Sequence, residues 1–514
     1  MKYTSTRDAS IVCSFEEAIC SGYAPDGGLF VPASLPHVDA GTLESWSGLT
    51  YPQLAFAVLR LFIASEEIDN DALEAICHAS LRGFTNPDHA VPLRFVGGMY
   101  VVELFHGATF CFKDLGLSAV IQLLSFFATR RKTPTTLLVA TTGDTGPAAV
   151  QAVSDAHNPL LTLLVHYPKG QISDFQRKQL TTVQSPYVAV AAFEGSGDDM
   201  DRPIKNLLQK LQTKERRLTG VNSYNIGRPL MQMVHYIWAY LRVMETLKEK
   251  PGNPDMTVNV VLPTGAMGNM VGGYMAKQMG IPLGLCISGV NVNDITDRVT
   301  RTGQFHKSAA MERTLSEAIN IQLPYNFERL LFYLSGDHAR IKEWMTTVDL
   351  TSKNDLPPDW LQLLQQEFQS ERITDEEMCA MTRQVRDDFS YIIDPHTAVA
   401  FCAAKRRGYY CSNNNSDSNS AANNNTPVIL LSTASPCKFQ EAVTVAIGKE
   451  GWDRYYESEF PARGKALMQL EEVEPVLYKA QGSGGDDALQ KSQDAWERQS
   501  LDIIKGLVAG KADP

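Results

Sequence analysis

The chain has 514 residues, 44% of them hydrophobic and 20% charged, enough to build a large core without metal or disulfide support. Its formal net charge of −11 argues against the extended basic face that nucleic-acid binding needs. No apolar run reaches the roughly 18 residues of a membrane-spanning helix, and the opening MKYTSTRDAS resembles neither a secretory signal nor a transit peptide, so a cytoplasmic protein is expected.

Residues 1–92 read as an N-terminal domain of short helical patterns, such as Tyr51 to Ile63. From Leu93 the texture changes to short apolar runs alternating with Gly-rich turns and amphipathic stretches. Predicted strands are Thr136–Ala140, Leu160–Val165, Tyr187–Ala191, Val258–Leu262, Leu283–Val290 and Val428–Leu431. Strands that alternate with helices imply parallel sheets, here in two α/β lobes at 93–240 and 241–475. Within the second lobe, residues 310–390 read as mostly helical. The Asn/Ser-rich stretch 412–425 reads as a disordered surface insertion. Residues 476–514 read as a polar tail, flexible at first, with a short helix near Ala495–Val508. Nine scattered cysteines without a CxxC pair read as reduced thiols, mostly core filler, and no metal site is expected.

Four segments carry chemistry. In Phe110-Cys-Phe112-Lys113-Asp114 a lysine sits in an apolar stretch, and lysine is rarely buried without compensation. Such an amine can serve as a nucleophile toward a carbonyl. Equally, it can open a helix with its stem buried and its amine reaching water. Thr141-Thr142-Gly143-Asp144-Thr145-Gly146 follows one predicted strand and opens a helix, a turn suited to an anion or simply to a tight connection. Gly265-Ala266-Met267-Gly268-Asn269 does the same after another strand, without a Walker lysine or a full GxGxxG. Ser432-Thr433-Ala434-Ser435 ends a third strand with hydroxyls. Together these fit an aldehyde bearing a phosphate, bound beside a second anion.

The order of these motifs resembles the threonine synthase family. The matching stretches are Tyr23–Pro32, HGATFCFKD, TTGDTG, Tyr167–Gly170, Val221–Asn225, PTGAMGN, Asp394–Thr397 and STASPCKF. The resemblance covers about residues 1–460. It implies a fold-type II pyridoxal 5'-phosphate (PLP) enzyme, with Lys113 as the Schiff-base lysine. It implies that Gly265, Ala266, Met267, Gly268 and Asn269 cradle the cofactor phosphate and that Thr433 faces the pyridine nitrogen. It further implies that Thr141, Thr142, Asp144, Thr145 and Asn225 meet the substrate. Lys169, Arg228 and His396 are candidates for holding the substrate's phosphate. Read without the family, the first two are solvated charges and the third is a core histidine.

Ala108, the GAMGN loop and Ser435, where the family commonly has histidine, depart from the usual synthase pattern. They resemble the threonine-synthase-like 2 branch, as do TSTR and Ile321–Arg329. That branch implies a phospho-lyase, a carbon–oxygen lyase that releases phosphate from O-phosphohomoserine or O-phosphothreonine and yields 2-oxobutyrate and ammonia. Ser435 is expected beside the cofactor ring, where loss of a titrating imidazole favours the lyase outcome. Threonine synthesis, a serine/threonine dehydratase and a non-catalytic binding or signalling protein on the same scaffold are the alternatives. The expected partner is a small phosphorylated amino acid, and the expected assembly a monomer or homodimer.

Overall fold

A computed structural model describes residues 1–210, 217–413, 426–482 and 485–509 of the chain. From residue 414 on, the insertion expected at 412–425 lies outside the described residues. Tyr3–Ser5, Val12–Cys13 and Phe30–Pro32 form a small antiparallel sheet over a helical N-terminal layer. The Tyr3 hydroxyl donates to the Phe62 carbonyl, which ties that sheet to the helices.

Two larger sheets carry the α/β part. One is wholly parallel, in the order Val476–Tyr478, Val188–Phe193, Leu161–Pro168, Thr135–Ala140, Arg217–Gly220. The other runs Phe368–Arg372, Leu283–Val290, Val258–Pro263, Val428–Ser432, Met99–Glu103, Leu93–Val96. It is parallel except for the hairpin at its last edge. The central strands Thr135–Ala140 and Val428–Ser432 are buried along their whole length, as strands covered on both faces require.

Three sequence-drawn boundaries differ from the sheet pairing. By sequence Leu93–Glu103 falls in the lysine lobe, yet these strands close the other sheet, because Tyr100–Glu103 pairs in register with Ile429–Ser432. Position 240 lies inside the helix Gly227–Leu247, which is apolar on nearly every side and packs between layers rather than linking them. The tail is structured where described. Val476–Tyr478 adds a strand to the smaller sheet, and the helix Asp486–Ala509 buries Trp496 and Ile504 against it. The polar composition hid this because only one face of the helix is apolar.

All nine cysteines are free thiols, six of them buried. Among the described residues, no helix is long and apolar enough to cross a membrane and no metal-ligand cluster occurs.

Candidate active site at the strand ends

The carboxyl ends of strands from both larger sheets converge on one cleft, an open space of about 950 Å3 that includes solvent at its mouth. Ala140 and Thr141 come from one sheet, Leu262, Pro263 and Thr433 from the other. This is where open α/β sheets hold ligands. The cleft is also ringed by helix N-termini. Helices Lys113–Arg131, Thr145–Ala156, Gly227–Leu247, Gly268–Gln278 and Pro395–Arg406 each contribute a lining residue from their first two positions. These positive dipole ends favour an anion, offset in part by the Asp144, Asp198 and Asp201 carboxylates that also line the cleft.

Lys113 is the first residue of its helix, and its side chain is 12% exposed. Its position is set by a short antiparallel contact in which Phe112 N donates to the Thr433 carbonyl (2.8 Å) and Ser435 N to that of Phe110 (3.0 Å). Two sequence-distant motifs are thereby zipped together at the cleft floor. The Lys113 amine lies 3.3 Å from Asp144 Oδ2. Burial alone would raise the Asp144 pKa, but Lys113 and Lys438 hold its carboxyl far below the usual range.

The turn 141–146 is built around Thr141, whose Oγ1 accepts from Gly143 N (3.1 Å) and Gly146 N (2.9 Å). Thr141 therefore shapes the turn, while Thr142 and Thr145 line the cleft with it. Gly143 has φ +116°, and a Cβ there would fall 2.3 Å from Gln176 Oε1.

Gly265, Ala266, Met267, Gly268 and Asn269 line the opposite side. A Cβ on Gly268 would lie 2.6 Å from the Ser223 Cβ, so the loop's close approach requires glycine. Met267 adopts φ +64°, an unusual conformation for a non-glycine residue, held by the surrounding loop. Asn269 Oδ1 accepts from His235 Nε2 (2.8 Å), while Asn269 Nδ2 has no partner among the described residues. The same holds for Nε of buried Arg228, whose Nη1 donates to the Val221 carbonyl. Both are buried donors without partners, on residues that line the cleft. Burial pushes Arg228 down to about 10.

Three expected ligand residues are placed differently. Asn225 is fully buried in structural bonds, donating to the carbonyls of Ile19 and Gly220 and accepting from Gly227 N. Its neighbours Asn222 and Ser223 line the cleft instead. Asn222 extends the sheet edge by bonding both N and O of Ala140. Lys169 is more than half exposed and sits 3.6 Å from Glu194, away from the cleft wall. His396 does line the cleft, but Nδ1 donates to Asp394 (2.8 Å) and Nε2 accepts from Ala318 N (3.1 Å). It holds the loop carrying Ala318 and Ile319 rather than offering a free donor.

Ser435 is a fourth correction. Its Oγ accepts from Cys437 N, and the residue faces a separate cavity with Tyr455, Glu103 and His106. It is absent from the wall of the main cleft.

Lys438 was missed. It is fully buried, and its amine donates to the Thr109 carbonyl (2.9 Å) and Gln179 Oε1 (2.9 Å), 3.1 Å from Asp144 Oδ1. The rule that singled out Lys113, a lysine amid apolar neighbours, applies equally to the lysine of SPCKF.

Two family models match, one described as "Threonine synthase N terminus" at residues 2–81 and one as "Threonine synthase, C-terminal" at residues 397–481. "Threonine synthase-like 2" of Homo sapiens is 38% identical over 402 residues, covering 78% of this chain and 82% of that protein. Threonine synthase of Saccharomyces cerevisiae is 33% identical over 509 residues, covering 93% and 95%. The crystal structure of yeast threonine synthase superposes with a TM-score of 0.81 at 32% identity, over 98% of this chain and 99% of that one. PLP-bound threonine synthase from Brucella melitensis gives 0.80 at 30% identity, over 96% and 99%. Paired parallel sheets with an N-terminal helical layer are the fold the motif order implied, and the chain belongs to the threonine synthase family.

Proposed function

We propose that this chain is a PLP-dependent lyase that eliminates phosphate from O-phosphohomoserine, O-phosphothreonine or both, releasing 2-oxobutyrate and ammonia. The observation that carries the reading is the largely sheltered amine of Lys113, held by Asp144 in a cleft ringed by helix N-termini. The residues present suit the cofactor. Lys113 would hold its aldehyde carbon, and the Gly265–Asn269 loop, with the unpartnered Asn269 Nδ2, would take its phosphate. Thr433, at the end of its strand, would lie at the ring nitrogen. When bound, PLP supplies an electron sink for charge developing at the substrate's α-carbon.

The chain's own groups do the rest. Lys113 Nζ, once free, accepts the α-proton, and Asp144 keeps that amine aimed into the cleft. Thr142 and Thr145, beside the N-terminus of their helix, meet the substrate carboxylate. Arg228, which lines the cleft, is the cation for the departing phosphate.

Threonine synthesis from O-phosphohomoserine is the second reading. It is favoured by the 33% identity to yeast threonine synthase across 93% of this chain. Product analysis with O-phosphohomoserine and O-phosphothreonine separates the two. 2-Oxobutyrate with stoichiometric phosphate supports the lyase, threonine supports the synthase, and no phosphate from either substrate refutes both.

A further inference from the structure

The charged trio Lys113–Asp144–Lys438, its last two members buried and Lys113 partly exposed, spans the two lobes. Asp144 stands on the turn that ends the Thr135–Ala140 strand, Lys438 follows the Val428–Ser432 strand, and Lys113 opens the helix between. Asp144 Oδ2 faces Lys113 at 3.3 Å, and Oδ1 faces Lys438 at 3.1 Å while accepting from Gln176 Nε2 at 3.0 Å. Lys438 has no route to solvent and makes two further bonds, so it is fixed rather than snorkelling.

The remaining charges nearby are accounted for. Asp114, next to Lys113 on its own helix, accepts from Thr109 N and Oγ1 and is close enough to feel Lys438 and Asp144. Burial raises the Asp114 carboxyl to about 6 and the Cys111 thiol to about 11. On the Glu317–Ile319 turn, burial chiefly pushes the Glu317 carboxyl up to about 8, with Glu441 and Asp144 adding to it. His396 lies on the Pro395 helix with both ring nitrogens engaged, and Arg228 lines the cleft from the Gly227 helix. Neither Asp114 nor Glu317 bonds Lys438, so Asp144 is its carboxylate partner among the described residues.

A buried carboxylate must be compensated by a nearby cation. With Lys438 present, Asp144 is already neutralised when Lys113 is uncharged. With Lys438 absent, protonating Lys113 becomes the means of balancing Asp144, and a protonated amine is neither nucleophile nor base. We infer that Lys438 is a positioning residue, one that neutralises Asp144 so that the carboxylate can orient Lys113 without holding it protonated. The inference rests on the reading of Lys113 as the cofactor lysine.

The test follows cofactor capture rather than turnover. Full-length protein stripped of cofactor is mixed with pyridoxal 5'-phosphate across a pH series, and the adduct on Lys113 is fixed with borohydride and quantified by peptide mass. In Lys438→Met the pH midpoint of capture should rise by about 1–2 units, slowing capture roughly 10–100-fold at neutral pH, because an opposite charge within a few ångströms is worth about that much. Asp144→Asn together with Lys438→Met removes both charges and should return the midpoint to near the wild-type value. Asp144→Asn alone should lower it, which keeps the test decisive where Lys438→Met fails to fold. A folded Lys438→Met, or an Asp144→Asn, with the wild-type midpoint overturns the inference alone. Wild-type protein that fixes no cofactor on Lys113 overturns the underlying reading as well.

Discussion

Arg329→Met tests whether the cleft wall is held from behind by one buried cation. The Arg329 guanidinium is fully buried and donates to the carbonyls of Phe30 (3.0 Å), Ser223 (3.0 Å) and Tyr224, and to Asn326 Oδ1 (2.7 Å). It thus fastens the N-terminal sheet and the Ser223 wall to the helix Phe327–Ser335. Each bond from a charged donor contributes about 1.5–3 kcal/mol, offset by the several kcal/mol needed to bury the charge. Burial is felt directly, pushing Arg329 down to about 10. Removing the donor leaves its acceptors unsatisfied in a dry interior, so the net loss should be about 3–5 kcal/mol. For 514 residues unfolding together at about 2.1 cal/mol/K each, 1 kcal/mol corresponds to about 1 °C, so the melting temperature should fall by about 3–5 °C. Ser223 packs on Gly268, so PLP affinity should weaken in the same variant. Scanning calorimetry with and without PLP measures both effects. A fall below about 1 °C with unchanged affinity refutes the reasoning.

Lys113→Ala should abolish the cofactor's visible absorption band and phosphate release together, and a variant retaining turnover removes the lysine from its role. Ser435→His should leave the ratio of threonine to 2-oxobutyrate unchanged, because its side chain faces the Tyr455 cavity, while overpacking costs about 1–3 kcal/mol. A shifted ratio, read by product chromatography, would restore a role in product choice. Glu317 binds its proton more tightly folded than unfolded, so the stability it contributes is complete below about pH 4.5 and is lost as pH rises through about 8. Glu317→Gln should flatten the decline of melting temperature between pH 5 and 8, and an unchanged slope in a pH-resolved melting series refutes this. Trp496→Ala should cost about 3–5 kcal/mol, because the fully buried indole fills the seam between the C-terminal helix and the Val188–Phe193 strand, a loss visible in urea unfolding.

Local pattern told the strands plainly. Leu283–Val290 is bounded as its apolar run predicts, and Val258–Pro263 and Val428–Ser432 each extend theirs by one residue. The Gly/Thr turns at strand ends were legible because their chemistry is local. What escaped depended on partners far along the chain. Nothing near Tyr100 says that it will pair with a strand at residue 429, and nothing in the polar tail says that Val476 completes a sheet begun at Thr135. Asn225 and Asn222 are equally polar, and only the fold decides that one is tied to Ile19 while the other reaches the cleft. Ser435 shows the same limit. Its neighbour Thr433 lines the cleft, and a turn of the chain sends Ser435 to a different cavity.

The strand Val188–Phe193 accepts its outer neighbour, Val476–Tyr478, only after 282 intervening residues, 194 to 475. During synthesis at about 5–20 residues per second, that edge stays open for roughly 15–60 seconds. Its sequence, VAVAAF, is uncharged and apolar, the kind of edge that pairs with other chains when left uncovered. The nascent protein therefore depends on something to shield this edge until the C-terminal strand and helix leave the ribosome, and fragments ending before Val476 should aggregate where the full chain does not.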